Sequence, residues 1–174
     1  MNAAPAKAMP HPLPHDFDFE FGRWRVRNQR LKSRLTGSGE WEYFDAMNEC
    51  HPILGGMGNR EEMVTDDLGD TRFIGTALRL FNASMRQWSI WWADNRRGVL
   101  EPPVHGAFAD GVGTFHGDDV HDGRPVRVRF IWDARDPARP RWEQAFSPDT
   151  GVTWETNWVM TFSRIAAGDT GGVR

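Results

Sequence analysis

The sequence predicts an all-β protein: a single antiparallel up-and-down β-barrel of about ten strands, preceded by a short N-terminal helical turn. Three observations carry this. No window of roughly eleven residues repeats apolar positions at the helical spacing of three and four, and Gly or Pro interrupts nearly every candidate. Short runs rich in β-branched and aromatic residues recur between turn signals along the whole chain. The 174 residues, 39% hydrophobic and 26% charged, make one globular domain able to bury a core. A sheet this long must stack on itself or close, and closure removes its edges. A two-sheet sandwich is the alternative.

Taken in order, residues 1–15 form a Pro-rich lead with prolines at 5, 10, 12 and 14 and no continuous apolar stretch. It reads as a flexible segment, neither signal peptide nor membrane span. His15–Phe21, HDFDFEF, could form one turn capped by Asp16. Strands are expected near 24–32, 40–51, 59–65, 71–81, 87–94, 104–108, 113–117, 125–132, 141–146 and 153–164. The barrel domain spans 16–165, and 166–174 form a flexible tail. Asp110-Gly111 and Asp122-Gly123 are two-residue hairpin turns, since glycine readily supplies positive φ. Pro148-Asp149-Thr150-Gly151 is a four-residue loop.

The net charge of −3, with both signs interspersed, argues against a nucleic-acid or anionic-membrane surface. The one cysteine, Cys50, excludes a disulfide framework within the chain. A cytoplasmic protein is the expectation. Aromatics are abundant in kind, with 9 Trp and 11 Phe beside a single Tyr, which suits a barrel interior or an apolar pocket. In QWSIWWAD, Trp88, Ile90 and Trp92 point one way and Trp91 the other. Trp88 and Trp92 are candidate ligand contacts. Trp91 needs cover from the Pro-rich lead or from a second subunit, so a homodimer is expected.

If Pro148–Gly151 make the last loop, Ser147 pairs with Val152, Gln144 with Glu155 and Trp142 with Asn157. Trp142, Gln144, Phe146, Glu155, Asn157 and Val159 then share one face, a mixed aromatic and polar surface of the kind that lines a pocket. Trp154, Thr156, Trp158, Met160 and Phe162 share the other. Desolvated among tryptophans, Glu155 would be a general acid or base, with Asn157 and Gln144 as oxyanion donors. The bland reading is an exposed or structurally paired carboxylate.

Gly22-Arg23-Trp24 follows a short aromatic turn, and Arg164 ends the last strand after Met160-Thr161-Phe162-Ser163. This resembles the calycin superfamily of lipocalins and fatty-acid-binding proteins, where a Gly-x-Trp opens strand one and a basic residue of the final strand covers the indole. That contact is a cation–π pair shutting one barrel end, so the resemblance makes Trp24 and Arg164 structural. The run from Asp16 to Arg164, through FDFEFGRWRV, ILGGMGN, QWSIWWAD, RFIW and WEQAFSPDTGVTWETNWVMTFSR, resembles a bacterial domain-of-unknown-function branch of that superfamily.

Haem-binding barrels of this kind use a late histidine, and none of the six lies on the last two strands, so no cofactor is expected. Arg79 in ALRLF, with Arg127 and Arg129 in VRVRF, alternates with apolar residues and reads as solvent face. The alternative, by resemblance to fatty-acid-binding proteins, is an interior Arg79 or Arg129 gripping a ligand's carboxylate.

Around the 116–122 hairpin, His116, Asp118, Asp119, His121 and Asp122 read as turn chemistry, so no metal site is expected. Gly55-Gly56-Met57-Gly58 lacks the Lys-Ser/Thr of a phosphate loop, and no Gly-x-Ser-x-Gly elbow is present. Three functions remain: a container for a small apolar or amphipathic molecule, a cofactor-free isomerase, cyclase or hydratase using Glu155, and a filled barrel acting through its surface. Fold does not decide among them.

Overall fold

The computed structural model describes residues 12–166. Ten antiparallel strands close into a barrel in the order β1-β10-β9-β8-β7-β6-β5-β4-β3-β2. They are β1 (Gly22–Leu31), β2 (Trp41–Ile53), β3 (Gly58–Thr65), β4 (Phe73–Asn82), β5 (Gln87–Asp94), β6 (Val104–Ala109), β7 (Val112–His121), β8 (Arg124–Asp133), β9 (Arg141–Ser147) and β10 (Glu155–Arg164). Each strand pairs with its chain neighbour and β1 meets β10, so no edge is left open. The barrel, and not the sandwich, is the fold. Residues 1–11 of the Pro-rich lead and 167–174 of the tail lie outside the described residues.

Turn chemistry follows the sequence closely. Asp110 and Gly111 have φ of 51° and 78°, and Asp122 and Gly123 have 48° and 74°. Both pairs therefore have the two positive values of a type I′ hairpin, whose twist matches its strands. β7 runs past the expected 113–117 because its polar end remains paired with β8, with Asp118 opposite Arg127 and their side chains bridged at 3.1 Å.

One end of the barrel is plugged by rings. The turn Asp18–Glu20 carries Phe17 inward, edge-on to Trp88 and Phe108 at 4.9 Å each. Trp24 donates its indole N–H to the Glu20 carbonyl at 2.7 Å. The Arg164 guanidinium lies 4.0 Å over that indole and donates to the carbonyls of Phe21 and Phe19 at 2.8 and 2.6 Å. The Gly-x-Trp and terminal Arg thus close this end as a cation–π lock. Asp16 does not cap the turn: it accepts the Trp88 indole N–H at 2.9 Å, tying the lead to β5.

The last hairpin departs from the expected register. Its loop spans 148–154, Glu155 faces Phe146, and a bulge at Asn157 shifts the pairing so that Trp158 faces Gln144 and Met160 faces Trp142. The cause is the Asp149 carboxylate, which accepts from the Thr153 hydroxyl at 2.6 Å, the Thr153 N–H at 2.8 Å and the Ser147 hydroxyl at 2.7 Å. Those bonds draw 152 and 153 into the loop. The bulge then inverts the faces: Trp158, Met160 and Phe162 turn inward, while Val159 turns outward opposite Gln29.

The wall is thinnest between β5 and β6, where only Trp88–Gly106, Ser89–His105 and Ile90–Val104 pair. Beyond Ile90 the strands part. Residues 95–103 bridge the gap, held by the Glu101 N–H on the Trp92 carbonyl and the Gly98 N–H on the Asp94 carbonyl, both 2.8 Å.

Candidate functional site

Opposite the plugged end lies a cavity of about 320 Å³, near the lower end of the ~300–1,000 Å³ usual for small-molecule sites. Its walls are Phe73, Trp92, Phe130, Trp142, Phe146 and Trp158. Period-two alternation puts these rings inside. Trp158 is the hinge of the wall, edge-on to Trp142 at 5.6 Å and to Trp92 at 6.2 Å. Ala77, opposite Trp92 on β4, leaves the room that a larger side chain would occupy.

The floor is polar. Arg79, 2% exposed, meets two carboxylates: Glu20 from the N-terminal turn, at 3.0 Å from Nη2 to Oε1 and 2.8 Å from Nη1 to Oε2, and Glu61 from β3. Arg79 also donates to Asn59 Oδ1 at 2.9 Å, and Asn48 donates its amide N–H to Glu61. The rings of Phe17 and Trp132 lie 5.0 and 5.4 Å from the guanidinium. Burial disfavours the charge on Arg79, yet the two carboxylates outweigh it and hold its pKa above the ordinary arginine value. Glu20 goes the other way: burial raises its carboxyl well above the usual range, and neighbouring Glu61 adds to the rise. One guanidinium faces two carboxyls, and Glu20, the raised one, is the one whose protonated form burial favours. Cys50 stands beside Arg79, its thiol also pushed up by burial.

The charged lining includes Arg30, Arg34, Arg96 and Arg97, with the acids Asp94, Glu101, Asp118 and Asp119 among them. Arg30 is bridged to Glu42 at 2.6 Å and lies 5.4 Å over both Phe44 and Trp158. Arg34 lies 5.4 Å over Phe146. Burial raises the Glu101 carboxyl, and Arg97 bridges it at 2.5 Å.

Among the expected ligand contacts, Trp92, Trp142, Phe146 and Arg79 line this cavity, as does Gln144. Trp88 does not: it is 2% exposed within the ring plug. The solvent-face reading of Arg79 is corrected, because Arg79 pairs directly across from Asn59 with its head inside the barrel. Arg129 as an interior ligand contact is corrected in the opposite sense. It points outward opposite His116 and stacks 4.5 Å over Trp154.

Gln144 donates to Asn157 Oδ1 at 2.8 Å, so these two amides are partners of one another, with Asn157 held in the bulge. Glu155 accepts the Leu35 N–H at 2.7 Å, pinning the β1–β2 connection. That bond, and not desolvation in the cavity, is what its carboxylate is placed to make.

Sequence reasoning missed Glu20, Glu61, Asn48, Arg30 and Arg34. Glu61 carried a faint signal, alternating in phase with Met63 and Thr65. Outside the barrel, Trp91 pairs with Leu78 and is half-buried in a shallow groove with Met57, Leu80 and Ser89. Its neighbours in the chain supply cover, so Trp91 does not by itself require the expected homodimer.

No family model matches the chain, and no curated protein does. Among solved structures it is similar to an S-type phycobiliprotein lyase from Guillardia theta, with a TM-score of 0.58 and 11% identity over 87% of this chain and 91% of that one. At that identity the likeness is one of fold alone. The finer resemblance to a bacterial branch gains nothing from it. No helix among the described residues is long and apolar enough to cross a membrane.

Proposed function

We propose that this protein binds a small amphipathic molecule inside its barrel, entering at the β5–β6 seam and resting between Trp92, Trp142, Trp158 and Phe146. The observation that carries this is the ring-walled cavity of about 320 Å³ left open while the other end is sealed. A barrel kept only for its surface gains nothing from unfilled space, since voids cost packing energy. A single buried cysteine suits the cytoplasmic setting expected for it.

A native mass spectrum of the freshly purified chain, set against its denatured mass, tests the reading. The expected result is a discrete added mass, or uptake of N-phenyl-1-naphthylamine with enhanced emission. A bare mass together with no uptake of that neutral probe would overturn it.

A second reading, a cofactor-free enzyme, gains one specific support: Glu61 lines the cavity floor beside Arg79, which it shares with the buried Glu20 carboxyl. It moves the acid–base group from Glu155 to Glu61. On that reading Glu61→Gln abolishes turnover of the molecule that the mass spectrum identifies and leaves its binding intact. Undiminished turnover in the variant would remove it.

A further inference from the structure

We infer that Arg34 is the anion receptor of the cavity, taking the carboxylate of a monoanionic amphipathic ligand whose apolar body lies against Phe146, Trp158 and Trp142. This rests on the reading of the barrel as a ligand container, and it names the class of ligand.

Five guanidiniums line the cavity, and four are already engaged. Arg79 holds Glu20 and Glu61. Arg30 holds Glu42 at 2.6 Å, Arg97 holds Glu101 at 2.5 Å, and Arg96 donates to the Leu68 carbonyl. The Arg34 side chain has no hydrogen bond or ion pair among the described residues, and its guanidinium carbon lies 5.4 Å over the Phe146 ring. The carboxylates whose fields reach it are Glu101, Glu42 and Glu155. Each is committed elsewhere, the last to the Leu35 N–H.

Arg34 therefore carries its charge in a part-buried position with no directly bonded partner. Burial lowers its pKa, and the charge of Arg30 lowers it further. A site that disfavours its own cation becomes favourable once an anion arrives.

The geometry is held in advance. Leu35, the next residue, sits at φ 57°, in the left-handed region, and its N–H is bound by Glu155 at 2.7 Å. β10 thus fixes the short connection that presents Arg34. Glu155 is a positioning residue for this site. With its carbon over Phe146 and its N–H groups unbonded, the guanidinium keeps a fork of donors that matches the two oxygens of a carboxylate. One unpaired charge suits a monoanion better than a doubly charged phosphate ester.

The test uses the full chain and two probes of equal shape, biphenyl-4-carboxylate and biphenyl-4-methanol, titrated by tryptophan quenching. The carboxylate should bind about tenfold tighter or more at low salt, with the preference shrinking as salt rises. Arg34→Gln should erase the preference and leave the affinity for the alcohol unchanged. Arg34→Lys should restore part of it.

Equal binding of the two probes by the wild-type chain overturns the inference and leaves the container reading standing, as does a preference that survives in Arg34→Gln. If neither probe binds, the container reading itself fails for molecules of this size. Should Arg34→Gln not fold, the wild-type preference and its salt dependence still decide.

Discussion

Arg79 shows how far a single residue can depart from pattern. Leucines flank it in ALRLF, and alternation alone turns those leucines inward and the arginine out. The observed arrangement is the reverse, because Glu20, Glu61 and Asn59 supply partners that no local pattern reveals: one belongs to a different element, and two face Arg79 from the next strand. Removing the charge leaves Glu61 and Glu20 buried without the cation they share. Arg79→Met should destabilise the fold by about 3–5 kcal/mol, as for other broken buried pairs, measured by urea unfolding. A loss below about 1 kcal/mol would mean that the acids find water or a shared proton without it.

Glu20 makes the complementary prediction. Its folded pKa is raised, so the unfolded carboxyl, near ~4.3, releases its proton first as pH rises. The native state is then increasingly disfavoured from about that pH up through the raised value. Glu20→Gln removes the proton linkage and keeps the amide oxygen available to Arg79. Its stability relative to wild type should grow as pH rises above about 4. A difference independent of pH would show that burial does not raise the Glu20 carboxyl.

Strands were legible because their alternation and turns are local signals. β5 is found over the expected 87–94, and both Asp-Gly hairpins close as type I′ turns. The β9–β10 register was not legible, because a single aspartate decides it. Asp149 gathers Ser147 and Thr153, and hydrogen bonds from Thr153 and then Ser147 hold its carboxyl near about 2. A depressed folded pKa stabilises the hairpin above the unfolded value of about 3.9, and the effect is lost as pH falls through about 2. Asp149→Ala should therefore speed amide exchange at Gly151 and Thr153 at neutral pH. Unchanged exchange rates would mean that the bulge sets the register alone.

Gly75 acts on a neighbouring strand. A Cβ there would meet the Trp92 ring at 2.2 Å, so only glycine lets the indole lie across β4 as a cavity wall. Gly75→Ala should push Trp92 into the cavity and weaken uptake of N-phenyl-1-naphthylamine. Full uptake would show that the indole has another place to rest.

At the scale of the whole molecule, the barrel divides its aromatic content between two tasks. Phe17, Trp24, Trp88 and Trp132 seal one end, and Trp92, Trp142 and Trp158 hold the other open. The sequence shows the abundance of rings and not the division. Three tryptophans in QWSIWWAD look alike in the chain, and the division depends on where β6 leaves β5. The candidate site was legible in its walls and illegible in its charges, since a wall follows from alternation within a strand and a buried ion pair needs partners from several.

Stability and openness should then be separable. Ala77 is buried at 6% exposure, faces Trp92 across β4 and β5, and lines the open cavity. Ala77→Phe places a ring in existing space, so the cost of overpacking, typically about 1–3 kcal/mol in a filled core, should largely be absent. The variant should keep the wild-type melting temperature, lose any mass carried in the native spectrum, and fail to enhance N-phenyl-1-naphthylamine emission. A variant that folds as well and still takes up the probe would place the ligand elsewhere than between these rings. One that unfolds would show that the open end is packed more tightly than its about 320 Å³ implies.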